Sequence, residues 1–343
     1  MGHFRKTFLA FAGLASAAFL LGSVPAAQAT TIASEVNSSQ FVGGVAPSIG
    51  NNLLNQTGYQ VCYQTFCSVG SQATLGTVWT AEHLTADQVN SARGADRNSL
   101  TFFPDPHIPA SASATLSDYT RTGYDKGHMA PWADNADRNS FSFINVLPQN
   151  RDNNRRLWEG VETTVRNIAL YYGEVYVVSG PIFEGNIEKM RHRIAIPTGF
   201  YKAIYVPSLH LEGAYIVRNA PGNWWLPVPV QRIVDMTHTT PFPALPVAML
   251  QQSPNLPLPN VHGRKIQPGD NTIPAKAIKG PSPFDPPAVK DAETNARGDW
   301  TGNESDGDDN GNSGRRSYSR PSASHEAHET QGLFRYIEGF GRH

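Results

Sequence analysis

Net charge, cysteine, internal repeats and long apolar runs are what this sequence has least of, and each shortage removes a class of protein. With 28 Lys and Arg against 29 Asp and Glu, the formal net charge is -1. That balance excludes a globally basic nucleic-acid binder and a strongly acidic tail protein. Two cysteines in 343 residues are too few for a disulfide-built scaffold or a cysteine-rich metal site. No internal repeat occurs, which removes solenoid architectures. The one long apolar run, Phe8 to Leu21, is too short for a comfortable membrane span.

What is there is unevenly distributed. Arg5 and Lys6 precede that apolar run, and Ala27-Gln28-Ala29 follows it. This is the pattern of a secretory signal peptide over residues 1–29, giving a mature protein that begins near Thr30, has no membrane anchor and is periplasmic or secreted. Residues 281–343 hold 11 acids and 7 bases, with a Gly, Asp, Asn and Ser run from Gly307 to Gly314. Such a segment buries too little apolar surface to offset its ordering entropy. The expected organisation is therefore a catalytic-sized domain over 30–260 and a Pro-rich, then acidic, disordered tail over 261–343. In an oxidising compartment Cys62 and Cys67 read as a local disulfide worth about 2 kcal/mol, with two free thiols as the alternative.

Within the domain, residues 58–66 and 75–81 alternate and are rich in β-formers, and a Gly/Ser/Gln stretch separates them. Leu170 to Ile182 has a continuous apolar core and a Gly-Pro stop, the mark of a buried strand. Arg193 to Ile196, Phe200 to Val206 and Glu212 to Val217 are further strand candidates. The clearest helix is Asn153 to Ile168, with Leu157, Val161, Val165 and Ile168 on one side, and Gln231 to Met236 is a shorter one. The class is α+β, dominated by sheet and ending near Leu245 to Leu258.

Two clusters carry chemistry. Asp125-Lys126-Gly127-His128 sits at a strand end, where a histidine with a neighbouring cation suits general-base work on a phosphate. Asn154, Trp158 and Glu162 lie four apart on the clearest helix and so share a face. An amide oxygen and a carboxylate at that spacing suit a hard cation such as Mg²⁺. Arg151, Arg155 and Arg156 crowd the helix start, where the dipole also favours an anion.

Together these clusters resemble the family of non-specific DNA/RNA endonucleases with the ββα-metal fold, which includes endonuclease G and secreted bacterial nucleases. The resemblance rests on Asp125 to His128, on Asn145, Pro148, Gln149, Asn154, Trp158 and Glu162, and on Trp79 to Thr85, Arg97, Tyr176 to Pro181, Ile196 to Lys202 and Ala214 to Pro221. It covers roughly residues 55–250, and it implies a central, mostly antiparallel sheet flanked by helices and long loops. It further implies His128 as general base, Asn154 as direct ligand of Mg²⁺ (Mn²⁺ or another divalent cation being the substitute) and Glu162 reaching the metal through water. Arg97 and Lys126 would contact the phosphate, with Arg151 and Arg155 beside them, and Asn145 would be a supporting polar residue. Lys126 departs from the commoner Arg and loses its bidentate fork.

The implied activity is Mg²⁺-dependent hydrolysis of DNA and RNA with little sequence preference, leaving 5′-phosphate ends, in a monomer or a homodimer. A secreted phosphodiesterase of small esters and a non-catalytic nucleic-acid-binding surface protein are the rival classes. His83 reads as structural and His192, between Arg191 and Arg193, as an exposed solvated patch.

Overall fold

A computed structural model describes residues 30–31, 37–252 and 255–269. The signal-peptide segment and the tail beyond 269 lie outside the described residues. One eight-stranded sheet organises the chain, in the spatial order Thr30–Thr31, Gly58–Cys62, Cys67–Ser71, Gly76–Thr85, Glu174–Ile182, Gly199–Val206, Leu211–Arg218 and Trp225–Val228. Every neighbouring pair is antiparallel except the first. The α+β expectation and the mostly antiparallel sheet are borne out. Among the described residues no helix is long and apolar enough to cross a membrane.

Both faces of the sheet are covered, because its central strands alternate two apolar sets. On one face Leu84, Val175, Val177, Phe200, Ile204 and Tyr215 pack against Leu157, Val161, Val165 and Ile168 of the long helix. On the other, Trp79, Val178, Tyr201, Ala203 and Ile216 meet Phe41, Val230, Ile233 and Phe242. The helical stripe read from the sequence is thus the stripe that docks.

Three boundaries differ from the sequence reading. The Gly/Ser/Gln stretch is itself a strand, Cys67–Ser71, with all five residues buried. Its small residues hide the strand signal, and they are small because Ile144 packs onto it, its Cγ1 lying 3.0 Å from where a Cβ on Gly70 would stand. Cys62 and Cys67 face each other across the turn and are disulfide-bonded. The helix expected from Asn153 begins as a π-helical turn, Asn153–Trp158, and becomes α-helical over Glu159–Tyr172, where Gly173 at φ 90° stops it.

The domain also continues past residue 260, within the segment expected to be tail. Leu256 and Val261 are buried against the long helix, and Tyr215 Oη donates to the Pro257 carbonyl at 2.9 Å. Trp225 Nε1 reaches the Ile266 carbonyl at 3.0 Å. A Cβ on Gly160 would stand 2.9 Å from Val261 Cγ2, so the helix is Gly there to admit this segment. Proline-rich composition concealed a strap that docks by isolated apolar residues. Leu256→Ala should therefore cost about 2 to 5 kcal/mol. A urea midpoint that does not move would mean that this strap contributes no packing.

Candidate active site

Packed beside the interior strand Gly76–Thr85, a separate two-stranded ribbon pairs Tyr124–His128 with Val146–Asn150, and His128 is its last residue on the first strand. Gly127 is required there because a Cβ would overlap Gln149 Oε1 at 2.0 Å. Tyr124, Lys126 and His128 alternate onto one face of that strand. An aromatic cluster of Phe102, Tyr119, Phe141 and Phe143 lies against this face. The His128 ring is 5.1 Å from Phe102 and 5.0 Å from Phe141. Lys126 Nζ stands 5.2 Å over Phe102, and the Arg97 guanidinium 5.4 Å over Phe141. The structure thus brings Arg97, Lys126 and His128 together from residues 31 apart in sequence.

His128 is buried, and its Nε2 has no hydrogen-bond partner among the described residues. Burial, then the charges of Arg97 and Lys126, push its pKa down from 6.5 to about 3. A buried imidazole between two cations stays neutral at neutral pH, which is the state of a proton acceptor.

The helix start is fastened to the ribbon from two ends. Asp125, itself buried, accepts from Arg155 Nε at 2.7 Å and Nη2 at 3.0 Å, and from Asn154 Nδ2 at 3.1 Å. Arg151 Nε lies 3.4 Å from the same carboxylate. Trp158 Nε1 donates to the His128 carbonyl at 3.2 Å. Arg155, expected at the phosphate, is instead forked onto Asp125 and braces Asn154. Because the Asn154 amide nitrogen is directed to Asp125, its carbonyl oxygen is turned the opposite way.

Asn145 is fully buried and makes four bonds. Its Oδ1 accepts from Ala130 N at 2.9 Å and Thr80 Oγ1 at 3.0 Å, and its Nδ2 donates to the Ala130 carbonyl at 2.8 Å and the Ser140 carbonyl at 2.9 Å. It holds the turn after His128 in place and does not face the reacting groups. His83 is structural as expected, stacked on Tyr176 and bonded to Glu174 at 2.6 Å.

Beneath the site lies a buried ionic layer that the sequence reading missed. Glu82 and Lys202 rise from the central strands, and Asp134, Glu162 and Arg166 descend onto them, all five being buried. Arg166 pairs with Asp134 at 2.8 Å, and Lys202 Nζ donates to Ser179 Oγ at 2.8 Å and to the Met129 carbonyl at 3.1 Å. Burial and the nearby Asp134 carboxylate hold Glu82 well above the usual carboxylate range, against the opposing pull of Lys202. Two bases thus face three acids, among which burial favours the protonated form of Glu82. The available signal was a charged residue at inward positions of otherwise apolar strands.

Among the described residues no group of three His, Cys, Asp or Glu is arranged to hold a metal. The donor set present is the oriented Asn154 carbonyl oxygen and the buried Glu162 carboxylate. Two hard oxygen donors fit Mg²⁺, which keeps most of its waters, and fit a soft ion poorly.

A ribbon that ends in His128, crossed by the helix that carries Asn154 and Glu162, is the arrangement of the ββα-metal nuclease class. The chain belongs to the DNA/RNA non-specific endonuclease family, whose model matches residues 37–248. It is thereby an endonuclease, of a metal-dependent family. Nuclease C1 of Cunninghamella echinulata var. echinulata is 33% identical over 202 residues, which cover 53% of this chain and 77% of that one. The mitochondrial nuclease EXOG of Homo sapiens is 32% identical over 180 residues, 46% of this chain and about half, 48%, of its own length. The crystal structure of the EndoG/EndoGI complex, on the mechanism of EndoG inhibition, contains a similar fold at 24% identity and TM-score 0.50. That match covers 55% of this chain and 88% of the other.

The depressed His128 pKa places the acid limb of kcat/KM below the ordinary histidine value of 6.5. Arg97→Met removes one of the two cations and should move that limb upward. An unmoved limb would mean that the Arg97 charge does not act on the proton affinity of His128.

Proposed function

We propose that this protein is a Mg²⁺-dependent endonuclease hydrolysing DNA and RNA alike, with His128 as the general base. The observation that carries the reading is the buried, neutral His128 Nε2 without a partner, set between two cations and tied through Trp158 and Asp125 to the helix bearing Asn154 and Glu162. His128 Nε2 takes a proton from water as the water oxygen bonds to phosphorus. The P–O3′ bond then breaks and the leaving oxygen takes a proton from solvent, leaving a 5′-phosphate on one fragment and a 3′-hydroxyl on the other. Arg97 and Lys126 face the phosphate and offset the charge gathering on its oxygens. Asn154 directly, and Glu162 through water, would hold the cation, which supplies Lewis-acid polarisation of the phosphate and stabilises the leaving oxygen.

Low sequence preference follows from the chemistry of these groups, because cations and a metal grip phosphate and none of them reads a base edge. Export fits the Cys62–Cys67 disulfide, which persists in oxidising compartments. Oligomeric state is open to sedimentation, a homodimer being the alternative to a monomer.

Plasmid DNA and single-stranded RNA should both be cut with Mg²⁺ and neither with EDTA. Turnover of small phosphate esters alone would favour the phosphodiesterase reading, and no turnover at all the binding-protein reading. His128→Ala should lower kcat about 10² to 10⁴-fold with an unchanged circular-dichroism spectrum. Asn154→Ala should act through the cation, raising the Mg²⁺ concentration for half-maximal rate at least about tenfold. A normal Mg²⁺ titration in that variant would remove Asn154 from the ligand set.

A further inference from the structure

The proposed chemistry leaves one strained and basic feature unused. Lys189–Met190 and Ile194–Ala195 form a short antiparallel hairpin with Met190 opposite Ile194. At its tip Arg191 and His192 stand consecutively at φ 53° and 56°, and both are exposed. That left-handed region favours Asn and Gly at hairpin tips, because a Cβ crowds the backbone there. The chain therefore places an arginine and a histidine where the backbone favours neither.

The hairpin is joined to the active-site face. Met190 and Ile194 pack into the same aromatic cluster on which Arg97, Lys126 and His128 rest. Arg193 Nη1 is held by Asp118 Oδ1 at 2.9 Å, and Arg191 Nη2 donates to the Thr120 carbonyl. Beside Thr120, Arg121 is exposed and also left-handed, at φ 57°. Arg121, Lys189, Arg191 and Arg193 outnumber the neighbouring acids Asp118 and Glu188, and His192 adds a further donor.

Distance agrees with a shared ligand. Arg121 precedes His128 by seven residues, so extended chain puts its backbone within about 23 Å of the base. One strand of duplex carries a phosphate about every 3.4 Å of rise, so this surface falls within about seven phosphates of the bond cut.

We propose that Arg121, Arg191 and His192 form a backbone-binding surface for the phosphates flanking the scissile bond, a proposal that rests on the nuclease reading above. The sequence reading made His192 a solvated patch. Its place on a strained tip beside Arg121, over the cluster that supports the base, reassigns it.

The test compares wild type with Arg121→Gln/Arg191→Asn/His192→Gly, which removes two permanent charges and gives the tip the residues its backbone favours. Affinity for a long single-stranded DNA is measured by fluorescence anisotropy in EDTA, apart from cleavage. The variant should bind roughly tenfold more weakly, with its log–log salt dependence shallower by about 1.4. Turnover of bis(p-nitrophenyl) phosphate with Mg²⁺ and the Tm should hold or, for the Tm, rise. Unchanged affinity and salt slope would overturn the proposal, and so would a lowered Tm accompanied by lost ester turnover. Wild type that binds DNA in EDTA and fails to cut it with Mg²⁺ would sink the nuclease reading while leaving the surface standing.

Discussion

The site depends on one buried carboxylate. Asp125 lies inside the ribbon three residues before His128, and it draws in the Arg155 guanidinium and the Asn154 amide from the start of the helix. That anchor directs the Asn154 amide nitrogen into the ribbon and so fixes which way its carbonyl oxygen turns. It ties the ribbon strand carrying His128, the proposed base, to the helix carrying Asn154 and Glu162, and Trp158 on the His128 carbonyl makes a second tie. Catalytic groups held this way are prealigned before substrate arrives, which is where such sites gain most of their rate.

The ionic layer underneath extends the same logic. Lys202 grips the Met129 carbonyl from below, one residue beyond the base, while its ammonium lies 5.0 Å from the Trp158 ring. Arg166 is joined to Asp134 with both side chains nearly fully buried. Buried pairs of this kind contribute little net stability compared with apolar packing. They do penalise displaced arrangements, because any shift leaves a charge without its partner in a dry environment. Burial and the Asp134 carboxylate raise the proton affinity of Glu82, which eases the crowding of acids in the layer.

Much of this was legible in the chain. The stripe Leu157, Val161, Val165 and Ile168 gave the helix and its docking face, and the apolar run to Ile182 gave a central strand. His128, Lys126, Asn154 and Glu162 were named from residue types and spacing, and Arg97 from the family resemblance. The strand Cys67–Ser71 was missed because its serines and glycine show no hydrophobic period. The helix Ala86–Ala92 was also missed, although Thr85 and Gln88 form a capping box at its start. The docked stretch from Val261 to Ile266 was assigned to the tail because its proline-rich setting reads as a linker.

Sequence by itself determined which chemical groups are present and which local elements carry them, since side-chain identity and period are local properties. Only the tertiary structure decided their states. The neutral His128, the turned amide of Asn154, the diversion of Arg155 from phosphate to Asp125 and the raised proton affinity of Glu82 all follow from burial and from partners tens of residues away. Desolvation and charge pairing act through space, so their outcome exists only once the chain has closed on itself.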